Sequence, residues 1–102
     1  MKSIVILGTK YKISQTNERD DCDLEDNLGY HNSADKVIAI DIEKHRTRKG
    51  KNCTFRHEVI HAYLHESGLA HNCRWHNEEM VDWLALQFPK IIKTFKELKI
   101  LD

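Results

Sequence analysis

The chain has 102 residues, 40% of them apolar, with 16 basic side chains against 16 acidic ones. At this length one core can bury roughly 60 to 70% of the unfolded surface, so a single domain, 1–102, is expected and two lobes flanking a cleft are excluded. Charged and aromatic shares of 31% and 8% are ordinary for globular proteins, which argues against disorder, collagen and coiled coil.

No apolar run nears the roughly 18 residues of a membrane span, and Met1 to Gly8 is too short for a signal-peptide core. The expectation is a cytoplasmic protein with no membrane partner. Cys22, Cys53 and Cys73 are odd in number and form no Cys-x-x-Cys pair, so they are read as reduced thiols. Zero net charge hides segregation: residues 18–26 hold six acids and one base, and residues 44–56 hold six bases and no acid.

In chain order, Ser3 to Leu7 is β-branched and apolar up to Gly8, and Tyr11 to Ser14 alternates, so one or two short strands open the domain. The acidic stretch 17–27 reads as a solvated loop. Leu28 to His31, the turn-prone Asn32 to Asp35 and Lys36 to Asp41 form a hairpin whose second strand is mostly buried. Lys44 to Lys51 reads as an exposed basic loop; it lacks the interleaved aromatics of a nucleic-acid module, so a nucleic-acid partner is disfavoured.

From Thr54 the period becomes helical. Phe55, Val59, Ile60, Tyr63 and Leu64 recur at spacings of three and four, with Asn52 or Thr54 as N-cap and Gly68 at the C-terminal cap. A second helix is predicted over 77–88, with Met80, Val81, Leu84, Ala85 and Phe88 inward. Pro89 interrupts it, and a third helix restarts there, burying Ile91, Ile92, Phe95 and Leu98. Trp75 and Trp83 are read as packing residues.

Five of the seven histidines fall within residues 57–76. His57-Glu58-Val59-Ile60-His61 is an H-E-x-x-H pattern inside the first helix. Two histidines one turn apart reach a single metal ion, and Glu58, about 100° round the helix, sits beside the metal, where it can take a proton from a metal-activated water. Zn2+ suits this donor set and makes it a hydrolytic centre. A third ligand is needed. Glu78 and Asp82, four apart, share a helical face, so Glu78 can bind the metal while Asp82 accepts from a ligand histidine. Glu79, His71 and His76 are the competing third ligands. His65 drifts about 80° from His57 and points off the metal. Tyr30, His31, His71 and His76 are candidate donors to a tetrahedral oxyanion.

His-Glu-x-x-His followed by Asn-Glu-x-x-x-Asp resembles the gluzincin metallopeptidases. The stretches His57 to Gly68 and Asn77 to Lys90, about a quarter of the chain, look most like the small ImmA/IrrE-type and SprT-like zinc peptidases of bacteria and phages. The resemblance implies an α+β fold with a minimal zincin-like core: a small N-terminal β-sheet, an active-site helix and two C-terminal helices. It also implies a protein substrate, such as a regulator of a phage or mobile element, that pairs with a strand beside the cleft, for which residues 36–41 are the candidate. The competing expectations are a metal-stabilised binding module and, behind it, a nucleic-acid binder.

Overall fold

Leu7 and Gly8, at φ 48° and 87°, take the left-handed conformations of a two-residue hairpin turn and fold the first strand, β1 (Lys2–Ile6), onto the second, β2 (Thr9–Thr16). The computed structural model describes residues 2–71, 73, 74 and 76–101. Two further strands, β3 (Gly29–Asn32) and β4 (Val37–Asp41), make the predicted hairpin. β4 then inserts parallel to β2, with Ile13 opposite Ile38 and Gln15 opposite Ile40, which gives the sheet order β1-β2-β4-β3. The fold is α+β: a four-stranded mixed sheet followed by two helices.

Alternation along the strands sorts the core. Tyr11 and Ile13 of β2, Ile38 and Ile40 of β4, and Ile6 are buried together with Ala62 of α1 (Arg48–Glu66), while Phe55 and Val59 pack against them. Each fully buried Ile contributes about 1.5–3 kcal/mol, and this layer fixes α1 against the sheet. Leu24, in a single 3-10 turn over Cys22–Leu24, is fully buried where that turn packs on β3 and β4.

Several expectations are corrected. α1 starts at Arg48, not Thr54, because Thr47 caps it by accepting from the Gly50 N–H at 2.9 Å, so the end of the presumed basic loop is its first turn. Lys44 is not a free surface base either: its ammonium donates to the carbonyls of Leu24, Glu25 and Asn27 and lies 3.6 Å from buried Asp41, which pins the acidic loop to the end of β4. α1 ends as expected, with Gly68 at φ 78° donating to His65 O and Leu69 donating to Leu64 O, the paired bonds of a Schellman cap.

The two predicted C-terminal helices are one, α2 (Glu78–Leu98), which runs through Pro89. Proline has no N–H to give the Ala85 carbonyl four residues earlier. Arg56 of α1 donates its Nε–H to that carbonyl instead, at 2.7 Å. Val81 and Ala85 are buried and Leu84 is half-buried, but Met80, Phe88, Phe95 and Leu98 are exposed, because α2 packs chiefly on α1. Trp83, expected to pack, is 53% exposed; Trp75 lies outside the described residues. Residues 36–41 cannot take a substrate strand: β4 is flanked by β2 and β3, and β3 is the edge strand beside α1. Among the described residues no helix is long and apolar enough to cross a membrane.

Candidate metal centre

His57 and His61 stand one turn apart on α1, which a helix with i, i+4 geometry dictates. Their Nε2 atoms are 3.1 Å apart. Asn77 caps α2 by accepting from the Met80 N–H at 2.9 Å, and this sharp start delivers Glu78 to the same point. Its Oε2 lies 3.0 Å from His57 Nε2 and its Oε1 3.0 Å from His61 Nε2. Among the described residues these three are the group whose donor atoms converge closely enough to hold a metal ion.

The triangle tests the fit of zinc. Four donors about 2.05 Å from a tetrahedral centre are about 3.3 Å apart; here the two ring nitrogens are 3.1 Å apart and each lies 3.0 Å from a different oxygen of the Glu78 carboxylate. Two imidazole lone pairs and a carboxylate directed at one point repel unless a proton or a cation lies between them. A donor set of two nitrogens and one carboxylate is one that zinc accepts, and no fourth protein donor joins it among the described residues.

The rear of each ring is also held. His57 Nδ1 donates to Asp82 Oδ1 at 2.7 Å. His61 Nδ1 meets His76 Nε2 at 2.6 Å, so His76, a competing third ligand by sequence, stands behind a histidine and not in the triangle. Glu79 and His71 are exposed and outside the cluster. His65 also lies outside it, with its ring 5.9 Å from that of His31.

Glu58 is 8% exposed. Burial pushes its carboxyl up to about 7, against the opposing effect of His57, while the negative charges of Glu78 and Asp82 add to the rise. Burial likewise pulls His61 below its usual value, with Glu78 opposing. A cleft of about 250 Å³ opens here, with Gly29, Tyr30 and His31 of β3 on one wall and His57, Glu58, His61 and Glu78 on the other. Glu58 also borders a second hollow of about 300 Å³ toward Cys53, Thr54 and Asp82.

Of the four sequence candidates for an oxyanion donor, Tyr30 and His31 line the cleft with their protons committed elsewhere, and His71 and His76 are not among the residues that line it. The Tyr30 hydroxyl donates to Asp21 Oδ2 at 2.5 Å. The Tyr11 hydroxyl spends its only proton on Glu66 Oε2 at 2.6 Å, so its oxygen accepts from His31 Nε2 at 3.3 Å. Burial pulls His31 down to about 4; it is neutral, and its other nitrogen carries a lone pair. His71 is exposed, and His76 is turned to His61.

No protein-family model, curated protein or solved structure matches this chain. Its function is therefore read from the site itself.

Proposed function

We propose that the protein is a zinc-dependent metallopeptidase, with His57, His61 and Glu78 as ligands, Glu58 as general base and Asp82 orienting His57. The observation that carries this reading is the 3 Å triangle of His57 Nε2, His61 Nε2 and the Glu78 carboxylate, with a buried Glu58 next to it in sequence and lining the same cleft. Zinc held by these three residues would supply Lewis acidity, making water more acidic and polarising a carbonyl. Glu58 accepts the proton of the attacking water on a carboxylate oxygen and delivers it to the departing amine nitrogen. Glu58 lines the cleft together with His57, His61 and Glu78, which places its carboxylate for both halves of that transfer.

The substrate is an extended protein segment. β3 has no strand partner on its outer side among the described residues and forms a wall of the cleft, so a peptide adding there as a fifth strand would run past Glu58. A regulator of a phage or mobile element fits the resemblance to ImmA/IrrE-type proteins. A closed structural zinc site would need a fourth protein donor, whereas three converge among the described residues. The nucleic-acid reading loses ground because Lys44 and Arg56 are spent on backbone carbonyls inside the fold.

The test pairs metal content with proteolysis of an unfolded, carboxymethylated protein, with products read by mass spectrometry. The parent and Glu58→Gln should each hold one zinc per chain, and the variant should cleave about 10²–10⁴-fold more slowly. A variant as active as the parent, or a parent that binds no zinc, would sink the proposal.

A further inference from the structure

The geometry points to His76 as a positioning residue of the metal centre, holding His61 from behind as Asp82 holds His57. This rests on the metal reading above. An imidazole that gives its Nε2 lone pair to a metal keeps its one proton on Nδ1. In His61 that nitrogen lies 2.6 Å from His76 Nε2, so His76 supplies the acceptor that fixes both the tautomer and the ring plane. His76 is not a ligand in this arrangement, because the nitrogen it directs to the site is spent on the side of His61 away from Glu78. Its Nδ1 is buried with no partner among the described residues, so the bond to His61 is the polar contact that places the ring.

The local sequence makes the placement compact. His76 immediately precedes Asn77, the α2 cap, and Glu78 follows it. One run, His76 to Asp82, thereby carries the rear acceptor of His61, the helix cap, the third donor and the rear acceptor of His57. The two rear acceptors differ in charge: a carboxylate backs His57 and an imidazole backs His61. An imidazole behind His61 adds no negative charge there, whereas a second carboxylate would.

The experiment measures zinc dissociation constants at one pH, by competition with a chromophoric chelator, for the parent, His76→Ala and His76→Gln, together with thermal midpoints of the metal-free proteins. His76→Ala should weaken zinc binding about 10–100-fold. His76→Gln should recover most of the loss, because its amide oxygen can accept from His61 Nδ1 although glutamine is a poor zinc ligand. The metal-free midpoints of the two variants should agree, which a purely structural role would not produce alongside different affinities. In the zinc-loaded parent the His61 Nδ1 proton should give a slowly exchanging downfield resonance, kept in His76→Gln and lost in His76→Ala. Zinc binding by His76→Ala within twofold of the parent overturns the assignment, and so does His76→Gln as weak as His76→Ala, the result expected of a direct ligand. If His76→Ala does not fold, the His76→Gln affinity and its Nδ1 resonance decide. A parent that binds no zinc removes the metal reading as well; a parent that binds it, with His76→Ala unchanged, removes only the role of His76.

Discussion

Arg56 Nε donates to the carbonyl oxygen of Ala85 at 2.7 Å, from α1 to α2. Ala85 lies four residues before Pro89, so this bond replaces the helical one that proline cannot make. It lets α2 continue, and it also fixes the depth at which α2 sits on α1, and with it the reach of Glu78. Replacing Arg56 by Met leaves a carbonyl without a donor and should cost about 2 kcal/mol in urea unfolding. In a Pro89→Ala background the backbone N–H at position 89 satisfies Ala85, so the same replacement should cost markedly less. A double-mutant cycle giving additive losses would show that the guanidinium does not substitute for the missing N–H.

That pair also explains where sequence reading stops. The type of each long element was legible, because alternation in β2 and the three-and-four spacing of Phe55, Val59 and Leu64 are local consequences of period. The pairs His57 with His61 and Glu78 with Asp82 were legible for the same reason, as i, i+4 spacing puts each pair on one helical face, whereas the meeting of the two pairs depends on how α2 packs on α1. Continuity through Pro89 was not, because it depends on a side chain 33 positions earlier in the chain. Strand order is equally non-local: nothing in residues 36–41 says that β2 will pair with them and leave β3 at the edge. The α1 start was missed because Thr47 outcompetes the later caps, and the place of His76 depends on the path of the connection between α1 and α2.

Asp82 is largely exposed, yet it accepts from His57 Nδ1 at 2.7 Å. Its contribution should appear in metal binding rather than in folding. Asp82→Ala should weaken zinc binding about 10–100-fold, with little change in the unfolding midpoint of the metal-free protein. Asp82→Asn, which keeps an acceptor oxygen but loses the charge, should fall between. An Asp82→Ala protein with parental zinc affinity would show that the bond does not orient His57.

Gly29 sits where β3 passes closest to its neighbours. A Cβ there would lie 2.9 Å from the Ala39 carbonyl oxygen, 3.0 Å from Ile40 Cδ1 and 3.2 Å from Thr54 Cγ2. The first contact is with backbone and cannot be relieved by a rotamer change. Gly29→Ala should therefore destabilise by about 1–3 kcal/mol and push β3 away from β4, widening the cleft opposite Glu58. Urea unfolding measures the first effect, and amide exchange of β3 the second; a parental midpoint with unchanged protection would contradict the close packing.

Glu66, in the last turn of α1, ties that helix to the sheet by accepting from Thr9 Oγ1 at 2.8 Å, Tyr11 OH at 2.6 Å and Lys36 Nζ at 2.9 Å. The hydrogen bonds from Tyr11, Lys36 and Thr9 hold its carboxyl at about 2, below the usual 4.5. Because the folded value is the lower one, the unfolded chain binds the proton more readily, and the stabilisation is fully present above about pH 4.5 and is lost as pH falls toward 2. Glu66→Gln should thus be less stable than the parent at neutral pH, by a margin that stays constant down to about pH 5 and narrows below it. His31, held neutral by burial with a value near 4, adds a separate loss in the parent between about pH 6.5 and 4. The two are separable: the His31 loss should persist in Glu66→Gln, whereas the Glu66 loss should vanish. A gap between the proteins that widened on acidification would reverse the sign assigned to Glu66 and would mean that its carboxyl is not held as an anion by Tyr11, Thr9 and Lys36.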